Sequence, residues 1–305
     1  MEKFNKRQLS QSFLDMFKST GKYHVITECV KEDPYLDFEM RGNSVMIYYR
    51  GGRILTISDN GAMEGLVPEY IVNKEISVPQ PDLNDITNYF SKAKNIVDKH
   101  EQNPKLAKLG EKEIQQRVVY ENNLSVNAQY TDYFIADTEW QNSDLGGRAD
   151  IVAFRWLRSG NKRPLKVQLT LIEVKQGTNA IKDDCGLAEH YSDFLNLKGN
   201  AELTKELGKD MLTVLIQKQI LGLIKGIDQY LINGKVPQIV AEVDFVFLLA
   251  NYNPYSTVLN QEIQKLPEES KFFVSSFMGY GLYYPFVKTK EEIMKLFPFV
   301  FKDKA

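Results

Sequence analysis

Apolar residues recur at helical spacing in Leu9, Phe13, Leu14 and Phe17, which predicts a short amphipathic helix at the start of the chain. Two extended stretches rich in branched and aromatic residues follow, Leu36–Arg41 and Val45–Tyr49. Gly51-Gly52 then marks a hairpin turn into Arg53–Ser58. The run Val78-Pro79-Gln80-Pro81-Asp82 cannot continue a helix, and Asp82 caps the next one, which carries Ile86, Tyr89, Phe90 and Ile96. The charged stretch Asp98–Pro104 is the expected boundary between an N-terminal α+β domain (1–100) and a second domain (101–305).

From Pro104 a helix is predicted to about Asn122, then strands at Tyr130–Ala136, Ala149–Leu157 and Val167–Val174, the last two joined by the polar turn Arg158–Pro164. Helices are expected at Leu187–Leu195 and Leu203–Ile232. The longer one is apolar around much of its circumference, with Gly222 and Gly226 permitting close approach on one face. The strand Val243–Leu249 and an aromatic-rich extended pair, Phe272–Val287, complete the pattern. This alternation predicts an α/β fold (α+β, with a mixed sheet) flanked by helices.

Composition narrows the class. The 305 residues are 43% apolar and 26% charged with a formal charge of -2, which excludes a disordered chain and a histone-like polycation. Cys29 and Cys185 lie far apart, which excludes a zinc finger or disulfide scaffold and suits a reducing cytoplasm. The N-terminus lacks a signal-peptide core, and the longest apolar run, Phe245–Ala250, is too short to span a bilayer, so no membrane partner is expected. P-loop, GxSxG and HExxH motifs are absent, and His24, His100 and His190 are too widely spaced for a histidine-rich zinc site.

Two strings carry chemistry: Gly146-Gly147-Arg148-Ala149-Asp150-Ile151-Val152-Ala153-Phe154 and Leu171-Ile172-Glu173-Val174-Lys175-Gln176-Gly177. Strand alternation places Glu173 and Lys175 on one face, where an acid and an amine are costly to bury unless they pair or bind something. If the two strands are antiparallel neighbours, Asp150 meets them at one end of the sheet. Two carboxylates with a backbone carbonyl make a hard oxygen site of the kind Mg²⁺ or Mn²⁺ prefers. An adjacent lysine can position water or stabilise charge growing on a phosphate. The tripeptide alone is weak evidence, because Glu269-Ser270-Lys271 repeats it in a polar loop.

Asp150, Glu173-Val174-Lys175 and the αβββαβ element order resemble the PD-(D/E)xK nuclease superfamily over roughly residues 104–251. The resemblance implies a restriction-endonuclease-like core and hydrolysis of nucleic-acid phosphodiesters, DNA before RNA, with roles in defence, restriction or repair. It also implies Mg²⁺ (or Mn²⁺) held by Asp150, Glu173 and the Val174 carbonyl, with Lys175 managing the attacking water. An acid on the preceding helix completes the family's set. Glu111, on one face with Ile114 and Val118, is the first choice and Glu113 the second. Ala149 stands where the family's naming proline would be.

Arg148–Lys182 holds eight Lys or Arg against two acids. Arg155, Arg158, Lys162, Arg163, Lys166 and Lys182 either neutralise phosphates beside the site or form a solvated hairpin tip. His190 follows the lysine strand on a helix where family members often carry a polar residue, and an exposed or capped histidine is the alternative. Gln217 and Gln219 are weaker candidates. Tyr48-Tyr49-Arg50 and Gly51-Gly52-Arg53 read as core strand or as a stacking surface. The rival functions are a catalytically idle nuclease-fold module that binds nucleic acid or protein, and an interaction protein acting through its N-terminal domain. The oligomeric state stays open, a homodimer included.

Overall fold

The computed structural model describes residues 6–66, 79–101, 110–142, 147–157, 166–176, 181, 186–227, 236–252, 256–275, 282, 284 and 287–296. Gly146, Gly177, Lys182, Cys185, Pro104, the turn Arg158–Pro164 and most of 276–287 lie outside them. Among the described residues no helix is long and apolar enough to cross a membrane.

The chain divides into two compact units that are not contiguous in sequence. One holds Asn5–Gln129 with Asp210–Gln229, and the other holds Tyr130–Lys209 and Tyr230–Ala305 with the first four residues. The division therefore falls at 129/130 and is crossed again within a helix, instead of once near residue 100. The 111–123 helix, expected with the second domain, belongs to the first unit.

The first unit is built on an antiparallel sheet in the order β1 (Leu36–Met40), β2 (Ser44–Tyr49), β3 (Gly52–Ser58), β4 (Met63–Glu64). Arg50 (φ 48) and Gly51 (φ 80) make the β2–β3 turn, and two positive φ angles suit the twist of a tight hairpin. Helix α1 (Gln11–Asp15) opens on Ser10, whose hydroxyl accepts from the Phe13 N–H at 3.3 Å, a side-chain cap for one of the first free donors. Helix α2 (His24–Glu32) was not expected. Its stripe Tyr23, Ile26, Thr27 and Val30 is buried, and Tyr23, Phe13 and Phe38 surround the Phe17 ring at 5.2–5.3 Å.

Asp82 caps a short 3₁₀ turn that leads into α3 (Ile86–Glu101), and α4 (Glu111–Asn123) follows. Tyr49 is buried and its hydroxyl donates to Asp98 at 3.1 Å, while Arg50 pairs with the same carboxylate at 2.9 Å. These contacts fit the core-strand alternative for that stretch.

The second unit carries the seven-stranded sheet. Strands β5 (Tyr133–Asn142), β6 (Gly147–Trp156) and β7 (Lys166–Gln176) form an antiparallel meander. Helices α5 (Leu187–Gly199) and α6 (Ala201–Ile220) lead over to β9 (Asp244–Ala250), which lies parallel to β7, after a two-residue β8 (Gln238–Ile239) also parallel to it. Helix α7 (Thr257–Gln264) precedes β10 (Lys271–Ser275), parallel to β9, and β11 (Lys288–Thr289) with α8 (Lys290–Leu296) closes the edge. β9 is buried at every position, as expected of a strand covered on both faces.

Helix α6 ends at Ile220, not Ile232. Gly222 (φ 73) and Gly226 (φ 82) take left-handed backbone that ends the helix, and a Cβ on Gly226 would lie 2.6 Å from the Gln129 Cα. Close approach at Gly226 thus occurs in a turn after the helix. Ala201–Lys209 belongs to the second unit and Asp210–Ile220 to the first, where Gln217 clamps the Leu9 backbone from both sides at 2.9 and 2.8 Å. Gln217 is structural.

Candidate functional site

The β6–β7 ladder runs from Trp156↔Val167 to Ile151↔Ile172 and stops. Beyond that point β6 continues its pairing with β5, and β7 with β9 as far as Gln176↔Ala250. The two central strands part, and the Val174 N–H that faces the opening donates to Asp150 Oδ2 at 2.7 Å. A carboxylate here replaces a main-chain partner and satisfies a donor that would otherwise be lost. The fork lies at the C-terminal end of the parallel strands β7 and β9, the usual place for crevices in open α/β sheets.

Alternation on β7 sends Glu173 and Lys175 to one face, and both are buried. Lys175 Nζ lies 2.9 Å from Glu173 Oε1. His190, on the first turn of α5 and also buried, places Nδ1 3.0 Å from the same oxygen and Nε2 2.9 Å from Lys175 Nζ. The exposed-histidine alternative is excluded. Arg148, on the same face of β6 as Asp150, sets one guanidinium nitrogen 3.2 and 3.4 Å from the two ring nitrogens of His190. Its side chain keeps more than half of its surface in solvent.

Burial, then the Glu173 charge, pushes the Asp150 carboxyl well above the usual carboxylate range, and the Val174 N–H and Lys175 only partly offset this. Burial also raises Glu173, against the opposing pull of Lys175. Burial, followed by the Lys175 and Arg148 charges, holds His190 down to about 3, so the ring is neutral at neutral pH.

The structure thus brings Asp150, Glu173, Val174 and Lys175 together, as the sequence strings suggested. Glu111 stands half-buried in the first turn of α4, in the other unit, and Glu113 is engaged by Arg117 and by Arg50 at 3.6 Å. Arg155 and Lys166 do not flank the site. Arg155 is five residues along β6 from Asp150, about 17 Å at strand rise, with its guanidinium 3.9 Å over the Tyr284 ring. Lys166 opens β7, seven residues before Glu173.

Sequence reasoning missed two groups. Arg148 was counted only as net charge. Glu139, at φ 53 in β5, lies opposite Asp150 in register, and its charge raises both Asp150 and Glu173. That placement depends on the β5–β6 register, which no local pattern announces.

Among the described residues no group of three or more His, Cys, Asp or Glu is arranged to hold a metal by itself. The donor set still fits a cation that keeps much of its water. Two neighbouring carboxylates are strained by burial and mutual repulsion, and Oδ1 of Asp150 and Oε2 of Glu173 make no hydrogen bond among the described residues. No protein-family model, curated protein or solved structure matches the chain.

Proposed function

We propose that this protein is a metal-dependent nuclease of the PD-(D/E)xK type, acting on nucleic-acid phosphodiesters and on DNA before RNA. The carrying observation is the meeting of Asp150, Glu173 and Lys175 at the β6–β7 fork. The element order, α4, then β5–β6–β7, then α5–α6, then β9, supports a restriction-endonuclease-like core. In this reading Asp150, Glu173 and the Val174 carbonyl hold Mg²⁺ or Mn²⁺, all three from the unit that carries the seven-stranded sheet. The bound cation supplies Lewis-acid polarisation of the phosphate and a more acidic water.

Lys175 steers that water and balances charge developing on the phosphate. Arg148, largely in solvent at the mouth of the site, provides a phosphate contact suited to a planar fork. One specific observation favours the idle-module reading: the Lys175 ammonium is already occupied by Glu173 and His190.

Plasmid cleavage separates the two. An enzyme nicks or degrades DNA with Mg²⁺, stops with chelator, and loses activity in Asp150→Asn and in Lys175→Met. Retardation of DNA without cleavage, unaltered in Lys175→Met, is the idle-module result. Undiminished cleavage by an Asp150→Ala/Lys175→Ala double variant refutes the proposal.

A further inference from the structure

We propose that a single ordered water lies inside the first unit, between Lys218 and Asp37, and completes a network of four charges there. Nothing in this bridge depends on the hydrolytic reading.

Alternation puts Asp37 and Glu39 on one face of β1, and Arg41 follows just beyond the strand. Asp37, Glu39 and Lys218 are all buried. Lys218, in the last turn of α6, lies 3.0 Å from Glu39 Oε1, and Arg41 lies 3.6 Å from Glu39 Oε2. Two cations and two carboxylates thus balance in formal charge, without which their burial would be costly.

Charge balance does not by itself satisfy the hydrogen bonds. An ammonium has three N–H groups, and among the described residues Lys218 gives one to Glu39. The second carboxylate, Asp37, makes no direct ion pair with Lys218. Both residues nevertheless line the same small cavity, with Asn123 of α4 as a further polar wall and Val30, Leu36, Val119 and Leu223 as apolar ones. The cavity leaves about 10 Å³ for the centre of a water molecule, close to the least that one water needs. Opposite charges that face one small space without touching are a natural setting for a bridging water.

Other occupants fail on charge. A cation would lie against Lys218, and an anion against Asp37. Water accepts from Lys218 and donates to Asp37. The last turn of α6 is then tied to β1 at two points, at Glu39 directly and at Asp37 through the water.

A crystal structure of the full chain should show one water peak within hydrogen-bond distance of both Lys218 Nζ and an Asp37 carboxylate oxygen. A direct Lys218–Asp37 contact, or well-ordered side chains with no peak between them, overturns the proposal.

Cavity filling supplies a solution arm, read by circular-dichroism melts. Val119→Ile adds one methylene to the cavity wall, enough to expel the water. It should lower the melting temperature by about 2–4 °C, the shift expected from one unmet buried donor. In a Lys218→Met/Glu39→Leu background, where no ammonium needs the water, the same change should be neutral or raise the melting temperature. A rise in both backgrounds marks a dry cavity, and an equal fall in both marks overpacking. Either result contradicts the bridge. Should the double background not fold, the crystal structure decides alone.

Discussion

Removing the Lys175 ammonium tests the buried pair directly. Lys175 and Glu173 are each only 4% exposed and lie 2.9 Å apart, so Lys175→Met leaves a buried carboxylate without its ammonium. Breaking a buried pair from one side costs about 3–5 kcal/mol, because the remaining charge keeps its desolvation penalty. Glu173→Gln should cost less, since a neutral amide still bonds to the lysine. The double variant, with neither charge, should cost well below the sum of the single losses.

Urea denaturation followed by tryptophan fluorescence is the assay, and the two tryptophans, Trp140 and Trp156, both lie in β5–β6 of the unit in question. At about 2 kcal/mol per molar urea, the single Lys175→Met loss lowers the midpoint by about 1.5–2.5 M. Losses additive to within about 0.5 kcal/mol would refute a coupled buried pair.

Other outcomes follow from the same geometry. Asp150→Asn should raise the melting temperature of the metal-free chain at pH 7.5. A carboxyl whose folded pKa is raised carries a penalty above that pKa and none below its unfolded value, and the amide removes it; a lower melting temperature contradicts this. Mn²⁺ at a hundred times its Kd should stabilise wild type by about 2.7 kcal/mol, or about 5–10 °C, and should not shift Asp150→Asn. His190, lowered from 6.5 to about 3, contributes stability that is full above pH 6.5 and is lost as pH falls toward 3. Replacing it with Gln should flatten that part of a pH–melting curve, and an unaltered slope argues against the assignment. Gly226→Ala, at φ 82 and 2.6 Å from the Gln129 Cα, should cost about 1–3 kcal/mol in a circular-dichroism melt while leaving plasmid cleavage intact.

Much of the sheet was legible because its strands announce themselves. β6, β7 and β9 are largely apolar runs, and the charges near one end of β6 and β7, Arg148, Asp150, Glu173 and Lys175, are those that gather at the fork, whereas Arg155, Lys166 and Asp244 lie elsewhere on the same strands. Strand alternation was enough to put Glu173 and Lys175 on one face. The stripe of α2 at Tyr23, Ile26, Thr27 and Val30 has helical spacing too, but its branched residues are weak helix formers and blunt that signal.

Other features are tertiary. That Asp210–Gln229 belongs with the first unit is decided by pairings such as Leu9 with Gln217 and Glu39 with Lys218, separated by some two hundred positions. His190 differs from any surface histidine only by the helix register that buries it, and Glu139 only by a strand pairing. The end of α6 was marked in the sequence by Gly222 and Gly226, read there as a packing face when their left-handed backbone makes them a stop.

The most direct measurement is a crystal structure of the full chain soaked in Mn²⁺, with anomalous scattering locating the ion. The account predicts one Mn²⁺ peak between the carboxylates of Asp150 and Glu173, lost in Asp150→Asn. A fully soaked crystal with no peak there, or with Mn²⁺ bound only elsewhere, contradicts it.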